Sequence, residues 1–278
     1  MPDINHQKAQ AETFRAMHRG PGILLLPNAW DAASARVFEE AGFAALATTS
    51  AGIAFSLGYA DGQKIPRPEM LAQVARIAYA VKAPVSADVE AGYGERPESA
   101  AETAAGVIEA GAVGMNLEDA THSQEQPLVD LQLQLEKLRA VREAAEKLGV
   151  PLVLNARTDV FLLQVGPPER RYDEALRRLA AFRDAGADCV FAPGLRDAET
   201  IGRLVRDLAS PLNILAGPGS PPVPELERIG VARVSVGSSV MRATLGLVRR
   251  VARELKESGT YGALEENIPY ADLNRLLG

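Results

Sequence analysis

The sequence predicts an α/β fold, a (β/α)8 barrel of the TIM-barrel class with an extra C-terminal helix. Short apolar runs of strand length occur eight times and alternate with segments of helical periodicity. Glycine recurs where a predicted helix ends just before a buried strand. Eight such units within about 250 residues match the usual size of this barrel. No linker rich in proline, glycine or serine divides the 278 residues, so we expect a single domain over residues 1–278, with C-terminal helices from about residue 240 to 278.

Each predicted strand is an apolar run bounded by glycine, proline or polar residues. The eight runs are Ile23–Leu26, Ala44–Thr48, Val85–Asp88, Ala112–Leu117, Leu152–Ala156, Asp188–Ala192, Leu212–Leu215 and Arg233–Val236. The predicted helices between them are Glu69–Val81, Glu98–Ala110, Leu131–Leu148, Tyr172–Ala185 and Asp197–Leu208. The first twenty residues are also polar and helix-like. Beyond the eighth strand, a long helix from about Ser239 to Glu257 and a short amphipathic helix over Tyr270–Leu277 exceed what the barrel needs, and we expect this surplus to pack on a neighbouring subunit.

Composition excludes several functional classes. The formal charge is −6, and the arginine pairs at 170–171, 177–178 and 249–250 fit solvated helix faces, so nucleic acid is not expected as a partner. No apolar run approaches the roughly 20 residues that span a bilayer, and the N-terminal residues lack the apolar core of a signal peptide. We therefore predict a cytoplasmic protein without a membrane partner. The single cysteine, Cys189, forbids an internal disulfide and lies in an apolar run typical of a core thiol.

The stretch that follows the third predicted strand carries the strongest chemical signal. Asp88 and Glu90 are two positions apart, so on an extended chain their carboxylates point to the same side. Oxygen ligands of this kind suit Mg²⁺ or Mn²⁺, and such ions usually keep several waters and take one or two carboxylates directly. The glycines Gly92 and Gly94 permit close backbone approach to a ligand. This segment therefore predicts a metal site at the mouth of the barrel.

Charged residues follow the neighbouring strands as well. Asp61 lies in the loop after the second strand, Glu118 ends the fourth, and Arg157 with Asp159 ends the fifth. Buried carboxylates at adjacent strand ends repel one another unless a cation, a proton or an arginine compensates them. A metal shared by Asp88, Glu90 and Glu118 is our leading interpretation. The alternatives are carboxylates paired with Arg157 or exposed at the rim, and for Asp61 a simple turn.

Further segments predict how an anionic substrate is held. Thr48–Gly52 leaves the second strand with small residues and hydroxyls, which permits an anion nest of backbone N–H groups or merely a tight loop. Arg157 suits bidentate binding of a carboxylate or oxyanion, or an internal ion pair with Asp159 or Glu118. His122 lies where a lid would be and is a candidate proton-transfer residue, or a surface histidine. The glycine-rich 216–219 and 236–239 are a weak signal for phosphate.

Taken together, these motifs resemble the isocitrate lyase / phosphoenolpyruvate mutase superfamily. The similarity is carried by Leu26–Ala35, Ser56–Asp61, Asp88–Gly94, Asn116–Asp119 and Asn155–Asp159, and it covers nearly the whole chain in order. The resemblance implies a barrel whose last helix is swapped between subunits, a homodimer or homotetramer, and a Mg²⁺ ion chelated by a 2-oxo carboxylate substrate. The surplus C-terminal helix agrees with that expectation.

The resemblance also implies roles for individual residues. It implies a shell of four carboxylates around the metal, with Asp88 as the direct ligand and Asp61, Glu90 and Glu118 holding metal-bound waters. It implies that the substrate carboxylate is bound by Thr49, Ser50 and Ala51, together with Asp88 through the metal. Arg157 would hold charge that develops on the substrate. The resulting candidate catalytic residues are Arg157, Glu118 and His122.

Departures from the family pattern limit which reactions of the family are expected for this chain. The lyases carry a Lys-Lys-Cys-Gly-His lid, whereas this chain has Ala120–Gln126, and it also lacks the lysine, asparagine and serine of the mutase lid. The glutamate that the lyases place after the sixth strand is replaced by Pro193, and the asparagine after the seventh by about Gly217. This pattern argues against cleavage of isocitrate or methylisocitrate and favours a different 2-oxo acid.

The expected function is that of a magnesium-dependent carbon–carbon lyase, with Mn²⁺ as the alternative ion. Its substrate is expected to be a small 2-oxo carboxylate, and a dicarboxylate similar to oxaloacetate or 2-oxoglutarate is favoured, cleaved through an enolate. Two alternatives remain open. One is P–C bond chemistry on a phosphonopyruvate-like substrate, and the other is a non-catalytic binder of 2-oxo acids.

Overall fold

The strands form a nearly closed parallel barrel in the computed structural model, which describes residues 3–121 and 123–278. The described strands are β1 (Leu24–Leu26), β2 (Asn28–Ala29), β3 (Leu46–Thr48), β4 (Val85–Asp88), β5 (Gly114–Glu118), β6 (Val153–Arg157), β7 (Cys189–Phe191), β8 (Leu212–Leu215) and β9 (Arg233–Ser235). Every neighbouring pair is parallel, and β1 pairs with β9 while β2 pairs with β3. The predicted (β/α)8 class is therefore confirmed.

The first barrel strand is divided into two short pieces, which the sequence pattern did not predict. Pro27 lies between β1 and β2, and a proline has no N–H to donate to a strand ladder. Leu25 is in register with Val234 on one side, whereas Asn28 is in register with Ala47 on the other. The Asn28 side chain joins the two sides: its Oδ1 accepts from the backbone N–H groups of residues 236 and 237, and its Nδ2 donates to the carbonyl of residue 48.

Helices cover the outside of the barrel. They are α1 (Ile4–Met17), α2 (Ala32–Glu40), α3 (Ser50–Ser56), α4 (Arg67–Ala80), α5 (Pro97–Glu109), α6 (Leu131–Lys147), α7 (Pro168–Asp184), α8 (Ala198–Leu208), α9 (Val223–Ile229), α10 (Ser239–Glu257) and α11 (Tyr270–Leu277). The predicted helices are confirmed within a few residues. α2, α3 and α9 were not predicted, because seven to nine residues are too few for a clear helical period. None of the described helices is long and apolar enough to cross a membrane.

The N-terminal helix closes the lower end of the barrel. Phe14 of α1 is fully buried and lies against Gly114, where a Cβ atom would come within 2.8 Å of the phenyl ring. The His18 ring packs edge-on against Phe14, and its Nδ1 lies 2.8 Å from the Phe14 carbonyl oxygen. Because a carbonyl only accepts, Nδ1 carries the proton. Burial, followed by the nearby charge of Arg233, lowers the pKa of His18 to about 4.

His18 makes the stability of the fold dependent on pH. The unfolded chain protonates this histidine near its ordinary pKa of 6.5, whereas the folded protein does so near 4. The unfolded state therefore binds more protons between these values, and stability is lost as the pH falls. We expect this residue to account for about 2 kcal/mol of lost unfolding free energy between pH 7 and pH 5. In His18→Asn, the amide can replace the Nδ1 donor but does not titrate. Denaturant titrations at pH 7 and pH 5 should therefore show a smaller loss of unfolding free energy than in the wild type. An equal loss in both proteins would contradict the assignment.

The C-terminal helices leave the barrel. α10 is largely exposed, with 45 % of Leu245, 60 % of Val248 and 46 % of Leu255 accessible, and its main contact is a 3₁₀ turn over Gly262–Leu264. α11 returns to pack on α2, where Arg36 donates two hydrogen bonds to the carbonyl of residue 276. The surplus helices are thus present as predicted, and their exchange between subunits stays a prediction.

Candidate active site

A cavity of about 490 Å³ opens at the carboxyl ends of the strands. It brings together six of the predicted site residues: Thr49, Ser50, Ala51, Asp61, Asp88 and Arg157. They converge because each follows a strand of the same parallel barrel, where the strand ends meet at one face. Glu90 and Glu118 lie next to this cavity, close enough for their charges and that of Asp88 to influence one another. His122 lies outside the described residues.

Asp88 ends β4 and is held by donors on both carboxylate oxygens. The backbone N–H and the hydroxyl of Ser50 donate to Oδ2 at 3.0 and 2.8 Å, and Asn116 Nδ2 donates to Oδ1 at 3.4 Å. Thr49 is the N-cap of α3, so the predicted Thr48–Gly52 loop is a short helix start. One donor of the predicted anion nest, the Ser50 N–H, is directed at Asp88 in this structure.

The loop after β4 adopts an unusual backbone. Glu90 and Tyr93 have φ values of 52° and 56°, in the left-handed region that non-glycine residues rarely adopt. The backbone N–H of Gln63 donates to Glu90 Oε2 at 2.6 Å, and the Gln63 side chain accepts from the N–H of Tyr93. Burial and then the charges of Asp61 and Asp88 raise the pKa of Glu90 to about 7. The strained loop therefore holds the Glu90 carboxylate, which resists ionisation, close to the carboxylates of Asp61 and Asp88.

A buried lysine supports the same loop and was not predicted as a site residue. Lys137 of α6 is 1 % exposed, and its Nζ donates to the carbonyls of Ala91 and Gly94 at 2.5 and 3.1 Å. Burial lowers the pKa of Lys137 to about 8, against the opposing charges of Glu118 and Glu95. A lysine in the middle of a predicted helix gives no sequence signal of this role, because its burial depends on how α6 packs under the loop.

Arg157 lies between two carboxylates. Its Nη1 is 2.9 Å from Glu118 Oε2, and its Nε and Nη2 are 2.5 and 2.9 Å from the two oxygens of Asp159. Burial lowers the pKa of Arg157, but the charges of Glu118 and Asp159 outweigh it and keep that pKa above its ordinary value. Burial also raises the pKa of Glu118, although Arg157 opposes the shift. The ion pairs left open as an alternative are thus present, while 15 % of the Arg157 side chain remains exposed toward the cavity.

Asp119 holds the backbone and side chains that follow Arg157. Its carboxylate is fully buried and accepts hydrogen bonds from the Thr158 hydroxyl, the Asp159 N–H and Arg178 Nη1. Burial raises the pKa of Asp119 to about 6. The expectation of a solvated helix face for the pair at 177–178 is wrong for Arg178, which is 7 % exposed, because its charge is needed to compensate Asp119.

The carboxylates at the mouth of the barrel fit a hard divalent cation. Asp61, Asp88, Glu90 and Glu118 offer oxygen donors only, and mutual repulsion contributes to the raised pKa values of Glu90 and Glu118. A divalent cation would relieve that repulsion. Over residues 3–121 and 123–278, no three side chains of the His, Cys, Asp or Glu type are grouped to bind a metal directly. This arrangement agrees with one direct carboxylate and several waters.

The lining of the cavity includes two arginines that were not predicted. Arg196 follows β7, and Arg242 lies in the first turn of α10. Neither guanidinium has a carboxylate partner within the part of the chain that the structure describes. Of the two glycine-rich segments that gave a weak signal for phosphate, residues 216–218 and 236–239 line the same cavity. The cavity therefore combines carboxylates with cationic side chains, and Asp61 and Arg242 also line an adjoining pocket together.

Known proteins share this architecture. The family model described as phosphoenolpyruvate phosphomutase matches residues 14–256. An uncharacterized protein of Mycobacterium tuberculosis is 32% identical over 95% of this chain and 96% of its own length. The 2-methylisocitrate lyase of Bacillus subtilis is 27% identical over 92% of this chain and 86% of its own length.

Solved structures extend the comparison. A candidate lyase/mutase from Burkholderia cenocepacia J2315 is 42% identical, with a TM-score of 0.92 over 98% of this chain and 96% of its own. A 2,3-dimethylmalate lyase is 30% identical, with a TM-score of 0.85 over 97% of this chain and 94% of its own. An oxaloacetate acetylhydrolase in complex with oxalate is 28% identical, with a TM-score of 0.86 over 97% of this chain and 94% of its own. The chain therefore belongs to the phosphoenolpyruvate phosphomutase family, within the isocitrate lyase / phosphoenolpyruvate mutase superfamily of carbon–carbon lyases and mutases.

Proposed function

We propose that this protein is a magnesium-dependent carbon–carbon lyase acting on a small 2-oxo dicarboxylate. The observation that carries the proposal is the lining of one cavity, which combines a metal-type carboxylate set and Arg157 with the cations of Arg196 and Arg242. A 2-oxo carboxylate suits a metal held by these carboxylates, and a second carboxylate suits the two further arginines. Relatives that are named for small carboxylate substrates support the same class.

The proposed roles of the site residues follow from their positions. Asp88 would hold Mg²⁺ directly, and Asp61, Glu90 and Glu118 would hold its waters; Mn²⁺ would fit the same oxygen donors. The ion would supply electron withdrawal from the 2-oxo group. Thr49, Ser50 and Ala51 would face the adjoining substrate carboxylate.

Arg157 is placed to stabilise the charge that bond cleavage creates. In an oxaloacetate-like substrate, the distal carboxylate would leave as CO2, the electron pair of the broken C–C bond would form an enolate, and the guanidinium would hold the charge on the enolate oxygen. A proton then returns to carbon, and Glu118 and His122 are the proposed groups for that transfer. Glu118 suits it by position, because its Oε2 lies 2.9 Å from Arg157 Nη1, beside the proposed site of the enolate oxygen.

Proton NMR of the purified protein with Mg²⁺ tests the proposal. Oxaloacetate, 2-oxoglutarate, methylisocitrate and phosphonopyruvate are each incubated with protein, with and without a chelator. We expect product from a 2-oxo dicarboxylate above the rate of metal alone, and loss of that product when the chelator is present. Absence of product and of specific line broadening from every dicarboxylate would contradict the proposal.

Two alternatives have distinct outcomes in the same experiment. Arg196 and Arg242 would also suit a phosphonate, so conversion of phosphonopyruvate alone would favour P–C bond chemistry. Chelator-sensitive broadening without product would favour a non-catalytic binder of 2-oxo acids. The divergent lid, Ala120–Gln126, motivates this second alternative because it lacks the lysine, cysteine and histidine of the lyases.

We further propose that the protein is a homodimer or homotetramer held by its C-terminal helices. The exposed apolar side chains of Leu245, Val248 and Leu255 on α10 support this proposal. Leu245→Asp with Val248→Asp is expected to reduce the assembly to monomers in light scattering coupled to size exclusion. Deletion of residues 270–278 tests the short helix separately. If that shortened chain kept full stability and the same assembly, α11 would not be the intersubunit element.

A further inference from the structure

Arg233 is a buried cation that the proposed mechanism does not use. It lies on β9 inside the barrel, with none of its side chain exposed. Its Nη2 is 3.5 Å from Asn116 Oδ1, while Nε and Nη1 have no hydrogen-bond partner among residues 3–121 and 123–278. The same residues provide no carboxylate in ion-pair contact with Arg233. Buried charges are normally paired, because taking a guanidinium out of water is costly. Its unpaired position therefore requires an explanation.

Asn116 connects this cation to the metal site. Its Oδ1 faces two donors, Asn155 Nδ2 at 2.7 Å and the Arg233 guanidinium. These donors fix the orientation of the amide, so that its Nδ2 points to Asp88 Oδ1. One side-chain amide thus separates Arg233 from the proposed metal ligand. Asn116 and Asp88 both line the cavity, whereas Arg233 lies beneath them and does not.

The charge of Arg233 persists at neutral pH. Burial lowers its pKa to about 10, and nearby Cys189 and Asp88 oppose that shift. The group is therefore protonated under ordinary conditions. Because it lies in the barrel interior, salt in the solvent screens its field only weakly. A fixed positive charge below Asp88 repels a cation bound there and attracts an anion in the cavity above.

We propose that Arg233 is a positioning residue that sets the electrostatic potential of the active site from beneath, weakening the binding of the divalent cation alone and strengthening the binding of the anionic substrate. The inference rests on the proposed function, since it takes Asp88 as the metal ligand. Its consequence is that the site holds the free ion with only moderate affinity and holds the anion more tightly than the same site without this charge.

Calorimetric titrations of Arg233→Met test this proposal. Mn²⁺ is titrated alone, and oxalate is titrated into protein saturated with Mn²⁺. Loss of the charge is expected to raise the affinity for Mn²⁺ by about threefold to tenfold and to lower the affinity for oxalate by a similar factor. A purely structural role would weaken both. Opposite changes of the two affinities are therefore the signature of the charge.

Two control variants separate charge from shape. Arg233→Lys keeps a positive charge on a different side chain and is expected to leave both affinities within about twofold of the wild type. Arg228→Met removes an exposed charge, because 76 % of that side chain is accessible, and solvent screening should leave both affinities unchanged. Methionine is long, flexible and apolar, so Arg233→Met is expected to fold; Arg233→Gln replaces it if near-ultraviolet circular dichroism shows that it does not.

Several outcomes would overturn the inference. They are a parallel loss of both affinities in a folded variant, no change in either, or a lysine variant that behaves like the methionine variant. If the wild-type protein binds Mn²⁺ and oxalate but the variants show no opposite changes, only the role of Arg233 fails. If the wild-type protein shows no chelator-sensitive binding of Mn²⁺, the metal site itself fails and the role of Arg233 with it.

Discussion

Replacing Asp88 with alanine is expected to abolish metal-dependent binding and turnover of the 2-oxo acid. Ser50 and Asn116 donate to the two carboxylate oxygens of Asp88, so the position of this side chain is well defined. Loss of the direct ligand should lower the affinity for Mn²⁺ by at least about 100-fold, since a hard cation takes few direct carboxylates and depends on each. The measurement is calorimetric titration of Mn²⁺, followed by the NMR assay with oxaloacetate.

Asp197→Asn provides the matched control for Asp88→Ala. Asp197 is an exposed N-cap of α8 whose carboxylate accepts from the Thr200 N–H. Asparagine caps helices about as well as aspartate, so stability should change little. Unchanged Mn²⁺ affinity in this control and a large loss in Asp88→Ala would assign the effect to the site. Equal affinities in Asp88→Ala and the wild type would remove Asp88 as the ligand.

Arg157→Lys is expected to weaken the 2-oxo acid far more than the metal. Lysine keeps the charge but cannot bond Glu118 and Asp159 at once while presenting a planar donor to an oxyanion. We expect a loss of about 30- to 100-fold in oxalate affinity, from about 2–3 kcal/mol of charge-assisted hydrogen bonding. The affinity for Mn²⁺ alone should change by less than about threefold.

The same substitution should also destabilise the fold. Asp159 is 2 % exposed and Glu118 is 5 % exposed in the ion pairs with Arg157, so a poorer partner leaves buried charge undercompensated. Breaking such a pair typically costs about 3–5 kcal/mol, and lysine should recover part of that. Urea titration checks this part of the prediction. If stability fell but oxalate affinity did not, Arg157 would be a structural residue and not a substrate ligand.

The barrel was predictable from the sequence because the same local signal, a glycine at the end of a helix, recurs in several of its strand–helix units. Gly42, Gly111, Gly186 and Gly230 were singled out as helix ends before strands, and all four have positive φ values between 87° and 100°. That backbone conformation is cheap only for glycine, so the residue marks the junction reliably. The division of the first strand at Pro27 was less visible, since it depends on which neighbour each half pairs with.

The position of the carboxylates and Arg157 in the candidate site was predictable from the topology of the barrel. Asp88, Glu90 and Arg157 follow buried strands, and the topology of a parallel barrel brings such residues together without further information. Arg196 and Arg242 were not singled out, because a single arginine in a loop or helix resembles any solvated charge. Lys137 and Arg233 were missed since their burial depends on packing between elements far apart in the chain.

α10 links the active site to the outside of the molecule. Its first turn carries Arg242 into the cavity, while its far half projects from the barrel with Val248 and Leu255 exposed. A helix of this length transmits a tilt at one end to the other, because its backbone hydrogen bonds keep it rigid. In the proposed assembly, the subunit surface that binds the far half of α10 would therefore also set the distance between Arg242 and Asp88. On that proposal, specific activity is expected to decline on dilution, at the protein concentration where the subunits dissociate.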